Sequence, residues 1–452
     1  MQVIASLLLC LTAPQADAAA PAAASEPSAV VMDPAAAWLA EHADSLAVFY
    51  RELHANPELS LEEHATSATL AMVLESIGFE VTRGVGGTGV VGVLRNGEGP
   101  TVLVRCDMDA LPIFERTGLA YASTKSVERE DGGQVGVMHA CGHDVHMSVW
   151  AGTASALAAA RESWSGTLVF VAQPAEELGM GAKAMLEDGL YERFPKPDYA
   201  LALHAKAEIA AGKVGTVSGW ALANVDTVDI LVRGEGGHGS APHRTKDPVA
   251  LAARIVMGLQ TIVSREVAPL QPAVVTVGSI HGGTKHNIIP NEVKMQLTVR
   301  SYDPGVRQQL LDAIVRTAEH EARAAGFPED ILPVVDISDT QETPATWNTP
   351  ELVARVDAAI ERTLGAGTIV DAGQVMGAED FGRYGPAAGC PSYLFWLGTS
   401  DPAEIAAAEA GEGPWPPSVH TDRYGAPDPV PVLDTGVRAM TAAVLELLPV
   451  AD

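Results

Sequence analysis

Apolar segments with strand and helix character alternate along the first half of the chain. Leu70, Val73, Leu74 and Ile77 follow helical spacing, and Gly78 stands where a left-handed residue would end that helix. Strands are predicted at residues 79–82, 90–94, 101–106, 167–172 and 199–203, with a Gly/Ala-rich helix over 146–161. Strand 101–106 is mostly apolar and β-branched, as expected when both faces are buried. The alternation predicts an α/β domain with a mostly parallel sheet flanked by helices.

A second pattern begins near Asn224 and has the order β-α-β-β-α-β. Its strands are predicted at 227–232, 273–280, 293–300 and 332–337, with helices from Asp247-Pro248 onward and over 306–324. This order is that of a ferredoxin-like α+β unit. The α/β pattern then resumes, with helix 351–364, strand 392–397 and helix 432–448. We therefore predict a larger domain split into 35–223 and 338–452, with a smaller domain inserted at 224–337.

The amino-terminal residues have the pattern of an export signal. An apolar run over residues 3–11 is followed by Ala16-Asp17-Ala18, which resembles a cleavage site, and by an Ala/Pro-rich stretch. The run is too short to span a bilayer. We expect a signal peptide at 1–18, a linker at 19–34 and a periplasmic or secreted protein. The first basic residue is Arg51, so a positive leading segment is missing; the alternative is a mis-assigned start followed by a disordered linker.

Composition and charge exclude some classes of partner. Of the 452 residues 47% are hydrophobic and 19% charged, which is ordinary for a folded protein. The 29 Lys and Arg against 57 Asp and Glu give a net charge of −28, which argues against nucleic acid and anionic membranes. Four cysteines are too few for a disulfide scaffold. If residues 1–18 are removed, Cys106, Cys141 and Cys390 remain, and this odd number suggests that one thiol is protected.

Polar side chains follow three of the predicted strands of the larger domain. Asp107 and Asp109 follow strand 101–106, Glu176 and Glu177 follow strand 167–172, and His204 follows strand 199–203. Ligands of α/β sheets bind at the carboxyl ends of the strands. We therefore expect these residues to share one site, although any one of them alone would more often be a cap or a solvated acid.

Three histidines and a cysteine lie within eight residues of one another, at 139–146. Cys141 and His143 flank a glycine, so both side chains can bind one metal ion, and a bound thiolate would be protected. The alternative is a helix-capping loop with surface histidines. The adjacent Glu176 and Glu177 suggest a division of roles, in which one binds metal and the other acts as general base. A glycine-rich turn presents His238, which could donate to a developing oxyanion. Taken alone, His420 would more often be a surface residue.

These segments together resemble the dinuclear metal amidohydrolases that include hippurate hydrolase, N-acyl-amino-acid amidohydrolases and plant indoleacetyl-amino-acid hydrolases. The resemblance covers residues 36–450 in the family's motif order. The matching motifs are 51–54 with 57–60, Asp107-Met108-Asp109-Ala110-Leu111-Pro112, Met138-His139-Ala140-Cys141-Gly142-His143-Asp144, Gln173-Pro174-Ala175-Glu176-Glu177, Gly236-Gly237-His238-Gly239, His286-Asn287-Ile288-Ile289-Pro290 and Glu379-Asp380-Phe381.

The resemblance implies a catalytic domain, an inserted lid that forms a homodimer, and two divalent metal ions per subunit. The implied metal ligands are Cys141, His143, Glu177, His204 and His420. Glu176 would be the general base that deprotonates a metal-bridging water, and Asp109 would orient a ligand. His238 would stabilise the oxyanion across the dimer, while Asn287 and Arg300 would hold the substrate's carbonyl or carboxylate. Zinc, manganese, nickel and cobalt all suit this mixed set of sulfur, nitrogen and oxygen ligands.

The implied reaction is hydrolysis of an N-acyl or N-aroyl amino acid to a carboxylate and a free amino acid. A metallo-dipeptidase or carboxypeptidase is the alternative enzyme, although related metallopeptidases usually carry Asp where Cys141 and His143 stand. A non-catalytic metal- or ligand-binding protein is a third reading, but such a protein should have lost Glu176. Departures from the family pattern, such as Ala378 before Glu379 and an insertion at 401–417, leave the substrate open.

Overall fold

A computed structural model describes residues 33–128 and 132–450, which form two compact units. The first unit contains the described residues up to Gly219, together with Trp347–Gly373 and the chain from Arg383 onward. The second contains Trp220–Thr346 and Gln374–Gly382. The predicted insertion, 224–337, lies inside the second unit. The predicted signal peptide and nearly all of the predicted linker lie outside the described residues, so export stays a prediction.

Five of the helices in the described residues begin directly after an aspartate whose side chain caps them. In chain order the helices are α1 (Pro34–Ala55), α2 (His64–Ser76), α3 (His143–Ala159), α4 (Gly181–Glu187), α5 (Leu190–Arg193), α6 (Pro248–Thr261), α7 (Pro304–Ala324), α8 (Pro350–Leu364), α9 (Tyr384–Ala388), α10 (Pro402–Glu409) and α11 (Pro429–Leu447). Asp247 caps α6 by accepting from the N–H groups of Val249 and Ala250, and Pro248 is its first residue. Six of these helices therefore start with proline directly after their cap.

The strands of the described residues range from two to twelve residues in length. In chain order they are β1 (Glu80–Val85), β2 (Gly89–Asn96), β3 (Thr101–Asp107), β4 (Ser126–Glu128), β5 (Gln134–Gly136), β6 (Gly166–Gln173), β7 (Tyr199–Ala210), β8 (Val214–Thr216), β9 (Gly219–Leu222), β10 (Asn224–Arg233), β11 (Gly237–His238), β12 (Ala273–His281), β13 (Ile288–Ile289), β14 (Glu292–Ser301), β15 (Val334–Thr343), β16 (Thr346–Asn348), β17 (Ile369–Asp371) and β18 (Ser392–Ser400). The central strands of the first unit, such as β3 and β6, are the most fully buried.

The first unit is built on an eight-stranded sheet with the order β1-β2-β6-β3-β7-β18-β8-β17. Its four central strands, β6, β3, β7 and β18, run parallel, and β1, β2 and β8 add antiparallel pairs. Helices α1, α3, α8 and α11 pack on one another, and α3 and α11 also pack on central strands. Trp150 of α3 is buried and donates its Nε1–H to the Val104 carbonyl of β3 at 3.1 Å. The predicted α/β class is confirmed.

Helix α3 begins three residues before its predicted start at 146. Gly142 precedes the helix with a φ of +84°, a left-handed conformation that glycine adopts without steric cost. A Cβ at this position would lie 2.8 Å from both the Ala205 Cβ and the Tyr424 hydroxyl. The glycine thus lets the preceding loop approach β7 closely, and it places His143 in the first turn of the helix.

The second unit has a four-stranded antiparallel sheet with the order β12-β14-β10-β15. Counted along the chain, these strands have the order 2-3-1-4, which is that of the predicted ferredoxin-like unit. Helices α6 and α7 pack on each other and on the sheet, and their apolar faces form a separate core. Strands β12 and β15 are the two edges of this sheet. Among the described residues, no helix is long and apolar enough to cross a membrane.

Candidate active site

The carboxyl ends of the central parallel strands meet at one edge of the first unit's sheet. Strand β3 lies between β6 and β7, and Asp107 at the end of β3 is in register with Gln173 at the end of β6. Glu176 and Glu177 follow Gln173, and His204 lies within β7. The strand order therefore brings together the polar residues that the sequence placed after separate strands.

Cys141 lies at the centre of the potential metal ligands. Its Sγ is 3.4 Å from the His204 Nε2 and 3.2 Å from the His420 Nε2. The His420 Nε2 is in turn 3.6 Å from the Glu177 Oε2. Ligand atoms of Cys141, His143 and His204 lie within 4.8 Å of one another, and so do those of Cys141, Glu177 and His420. These two groups share Cys141, so the arrangement suits two neighbouring cations.

Hydrogen bonds to backbone carbonyls orient two of the imidazole rings. His143 donates its Nδ1–H to the Asp109 carbonyl at 2.8 Å, and His204 donates its Nδ1–H to the Ala205 carbonyl at 2.8 Å. Because a carbonyl can only accept, the Nδ1 of each ring carries a proton, and the Nε2 of each ring faces the cluster. The buried Nε2 of His143 and Oε1 of Glu177 have no hydrogen-bond partner and lie 3.9 Å apart. A cation would satisfy both atoms.

His420 comes to the cluster from a loop far along the chain. Its backbone N–H donates to the Ala140 carbonyl at 2.7 Å, next to Cys141. Its φ of +66° is unusual for a residue with a side chain, and 54% of the side chain is exposed. The sequence alone favoured a surface role for this residue, and the contact with Ala140 is what places its ring beside Cys141.

The electrostatics of the cluster favour positive charge at its centre. Burial raises the pKa of Glu177 to about 7, so the carboxylate is poorly stabilised without a cation. Burial lowers the pKa of His143, but the neighbouring charges of Asp107 and Asp109 outweigh burial and raise this pKa to about 10. A bound cation would take the place of the proton on the His143 Nε2 and would keep Glu177 ionised.

A buried network beneath the cluster holds Asp107. Arg105 donates to Asp107 at 2.7 Å and to the Gln173 amide oxygen at 2.9 Å. His146 donates its Nδ1–H to the other oxygen of Asp107 at 2.6 Å, and its Nε2 accepts the Ala205 N–H at 2.7 Å. Both nitrogens of His146 are therefore used within the protein. His146 belongs to the dense His/Cys segment, but it supports Asp107 and does not face the cluster.

Glu176 and Asp109 lie beside the ligand atoms. The Glu176 Oε2 is 3.8 Å from the His143 Nε2, and the residue is 8% exposed. One carboxylate oxygen of Asp109 lies 3.3 Å from the His143 Nδ1. The other accepts the Glu177 N–H at 3.0 Å and the Ser60 hydroxyl at 2.6 Å. Asp109 thus contacts both His143 and the backbone of Glu177, and its role in orienting a ligand stays a prediction.

The remaining predicted site residues belong to the second unit. His238 and Asn287 are exposed neighbours, because β11 pairs with β13 and the Gly239 N–H donates to the Asn287 carbonyl at 2.9 Å. The His238 Nδ1 accepts the Ser240 N–H at 3.1 Å, which leaves the proton on Nε2. Arg300 donates to the Met376 carbonyl at 2.7 Å. The roles of these three residues in binding substrate stay predictions.

Sequence reasoning missed two residues that act through buried contacts. Nothing in the sequence marked Arg105, because a lone arginine in an apolar strand carries no motif. Nothing marked Glu63 either, since its partners are Leu61, Thr88 and the distant Ala175. The contacts of Arg105 and those of Glu63 form only when the strands have taken their order and the loops have closed.

Comparison with known proteins places this site among metal-dependent hydrolases. Residues 103–412 match the sequence profile of peptidase family M20/M25/M40. Thermostable carboxypeptidase 2 of Saccharolobus solfataricus is 38% identical over 359 residues, covering 77% of this chain and 84% of the relative. Hippurate hydrolase of Campylobacter jejuni is 36% identical over 356 residues, covering 77% and 87%. The crystal structure of a dinuclear metal-binding M20 peptidase of Bacillus subtilis is similar at a TM-score of 0.71 and 28% identity, covering 90% of this chain and 99% of that one.

Proposed function

The chain belongs to peptidase family M20/M25/M40, and from this premise we propose that it hydrolyses the amide bond of N-acyl or N-aroyl amino acids. The products would be a carboxylate and a free amino acid. One observation carries the proposal: the Glu176 carboxylate lies beside two groups of potential metal ligands that share Cys141. Hippurate hydrolase, a relative over most of the chain, has a name that denotes this class of substrate.

The residues of the cluster fit two divalent cations. Cys141, His143, Glu177, His204 and His420 would hold them, and the buried unpartnered Nε2 of His143 and Oε1 of Glu177 are what a cation would satisfy. When bound, the ions would polarise the scissile carbonyl and acidify the attacking water. Mixed sulfur, nitrogen and oxygen ligands suit zinc, manganese, nickel and cobalt, and we propose a metal of this group.

Glu176 would move the proton during the reaction. Its carboxylate would accept a proton from the attacking water as the oxygen bonds to the amide carbon. The same carboxylic acid would then give the proton to the leaving nitrogen as the C–N bond breaks. Asp109 would keep His143 and the Glu177 backbone in position throughout, because it contacts both.

The general-base role is tested with Glu176→Gln, which keeps the shape of the side chain and removes its basicity. We expect kcat to fall by ~10²-fold or more, while the protein still binds two ions, as measured by elemental analysis. Glu187→Gln on α4, where the side chain is 68% exposed, is the matched control and should keep full activity. A chelator should abolish turnover, and added divalent metal should restore it. Full activity in Glu176→Gln would contradict the mechanism.

A carboxypeptidase is the second candidate function. The relative from Saccharolobus solfataricus carries that name and covers as much of this chain as hippurate hydrolase does. Metal-loaded enzyme should be assayed side by side with hippurate-type N-acyl amino acids and with dipeptides and longer peptides. The first proposal expects the higher kcat/KM on the N-acyl amino acids, and a clear preference for peptides would replace it with the second.

We also propose that the second unit forms a homodimer through strand β12. This strand is an edge of the four-stranded sheet, so its outward backbone groups can pair with another strand. Ile280 on β12 is 50% exposed and Met257 on the neighbouring helix α6 is 70% exposed, so both offer apolar surface to a second copy of the chain. A twofold axis beside β12 would pair the two strands and cover both side chains.

A further inference from the structure

The residue before Glu176 has a strained backbone. Ala175 has a φ of +48°, in the left-handed region that costs energy for a residue with a Cβ. It is fully buried, and its carbonyl accepts the N–H groups of Met180 and Gly181, each at 3.2 Å. These bonds close the loop 175–181 that carries Glu176 and Glu177. Something outside the loop must hold Ala175 in this conformation.

Glu63 makes that contact from a different part of the chain. One carboxylate oxygen, Oε1, accepts the Ala175 N–H at 2.9 Å and the Leu61 N–H at 2.9 Å. Leu61 is itself left-handed, with a φ of +70°, so a single oxygen atom holds two strained residues. The other oxygen accepts the Thr88 hydroxyl at 2.6 Å. Glu63 has no exposed surface, and a carboxylate so enclosed requires partners of this kind.

Glu63 directly precedes the first turn of α2, but its side chain makes no capping hydrogen bond to that helix. Glu58 caps this helix instead, by accepting the N–H groups of Ala65 and Thr66 at 3.1 and 2.8 Å. The Glu63 carboxylate is therefore available for Ala175, 112 residues further along the chain.

Glu176 is held on both sides by buried carboxylates. Glu63 accepts the N–H of the residue before it, Ala175, and Asp109 accepts the N–H of the residue after it, Glu177, at 3.0 Å. Ser60 links the two anchors, because its hydroxyl donates to Asp109 at 2.6 Å and Leu61 follows it in the chain. The backbone on either side of Glu176 thus cannot rotate without breaking a charge-assisted hydrogen bond.

We propose that Glu63 is a positioning residue for the general base, fixing the left-handed conformation of Ala175 and with it the direction of the Glu176 side chain. The inference rests on the proposed function for its effect on turnover, but its effect on the loop 175–181 is independent of that function. Glu63 has no exposed surface and belongs to none of the groups of potential metal ligands, so its removal should change kcat far more than KM.

The test compares Glu63→Leu, which has no acceptor, with Glu63→Gln, whose amide oxygen can still accept both N–H groups. We expect Glu63→Leu to lower kcat by ~10- to 100-fold through misplacement of Glu176, with KM changed by no more than about 3-fold. Hydrogen exchange of the peptide 175–181, followed by mass spectrometry with and without metal, should become ~10-fold faster. Glu63→Gln should stay near wild type in both measurements.

A second substitution tests the strain directly. Glycine adopts a positive φ without the Cβ penalty, so Ala175→Gly added to Glu63→Leu should recover much of the lost kcat. Leu70→Ala, in the buried face of α2, is the control for simple destabilisation: it should lower the melting temperature without accelerating exchange of 175–181. If Glu63→Leu does not fold, Thr88→Val, which removes only the hydroxyl on Oε2, should produce a smaller effect of the same kind.

Unchanged exchange of 175–181 in Glu63→Leu, or the same acceleration in Leu70→Ala, would overturn the proposal. These outcomes are separate from those for the proposed function. If Glu176→Gln keeps full turnover, the general-base mechanism fails, while the exchange data still decide whether Glu63 holds the loop.

Discussion

Cys141 is the residue on which both groups of potential metal ligands depend. Its sulfur lies 3.4 Å from the His204 nitrogen and 3.2 Å from the His420 nitrogen, and each histidine belongs to a different group. The loop that carries it is fixed by Gly142, whose positive φ allows close approach to Ala205. Loss of the Cys141 sulfur should therefore weaken the binding of both cations.

Cys141→Ser tests this dependence. We expect the variant to bind both ions more weakly, since a hydroxyl is a poorer ligand than a thiolate for borderline-soft metals, and to lose activity by ~10-fold or more. Metal content after dialysis and titration calorimetry measure the effect. Cys390→Ser, at a half-buried thiol outside the cluster, should keep both ions. Two ions bound at wild-type affinity in Cys141→Ser would show that Cys141 is not a ligand.

At the scale of elements, helix α1 is joined to helix α3 through His54. His54 is 1% exposed and donates to Asp144 at 2.6 Å and to Glu115 at 3.0 Å, so both ring nitrogens carry protons. Burial lowers its pKa, but the hydrogen bonds to Asp144 and Glu115 outweigh burial and raise this pKa to about 10. Asp144 lies in the first turn of α3, directly after His143.

The raised pKa of His54 makes this connection sensitive to pH. In the unfolded chain a histidine titrates near its ordinary value of about 6.5, so the stabilisation is complete below that pH. It is lost progressively as the pH rises from there through about 10. At pH 6 the protonated ring should contribute on the order of 3–5 kcal/mol to the free energy of unfolding.

Urea unfolding at several pH values measures this contribution. The difference in unfolding free energy between wild type and His54→Asn should be largest near pH 6 and should shrink by pH 10. Leu46→Ala, at a buried apolar position of the same helix, should show a difference that hardly changes with pH. A pH-independent difference for His54→Asn would mean that the ring is not held as a cation.

At the scale of the whole molecule, the two edges of the second unit's sheet offer a comparison. Both carry half-exposed apolar side chains, Ile280 on β12 at 50% and Val334 on β15 at 47%. The exposed Met257 lies on α6, which packs on β12, so the apolar surface is broader at the β12 edge. The net charge of −28 opposes the association of two copies of the chain, and an apolar contact at the β12 edge would offset this repulsion.

The proposed dimer is tested by placing a charge on each edge in turn. Ile280→Lys, alone and with Met257→Glu, should shift the protein toward monomer, because a charge would be buried between the paired strands. Val334→Lys on the opposite edge should leave the association unchanged. Sedimentation velocity or light scattering at several concentrations measures the mass. A monomeric wild type, or dissociation caused only by Val334→Lys, would contradict pairing through β12.

The sequence alone was sufficient for the class of fold and for naming the candidate residues that the structure brings together at the site. Periodicity and caps are local properties, so the strands of the first unit, the β-α-β-β-α-β order of the second and the Asp247-Pro248 helix start could be predicted from neighbours in the chain. Motifs with Cys141, His143, Glu176 and Glu177 could be recognised for the same reason. Boundaries were less accurate, as at α3, where the left-handed Gly142 starts the helix three residues early.

Only the tertiary structure decided which of these residues meet and what holds them. The place of β3 between β6 and β7 brings Asp107 beside Gln173, and the contact of the His420 N–H with Ala140 turns an exposed loop residue toward Cys141. The tautomer of His204 is set by a carbonyl, and the conformation of Ala175 by Glu63, 112 residues away. These contacts join segments distant in the chain, and their energy exists only once the sheet and loops have closed, so no local pattern of residues encodes them.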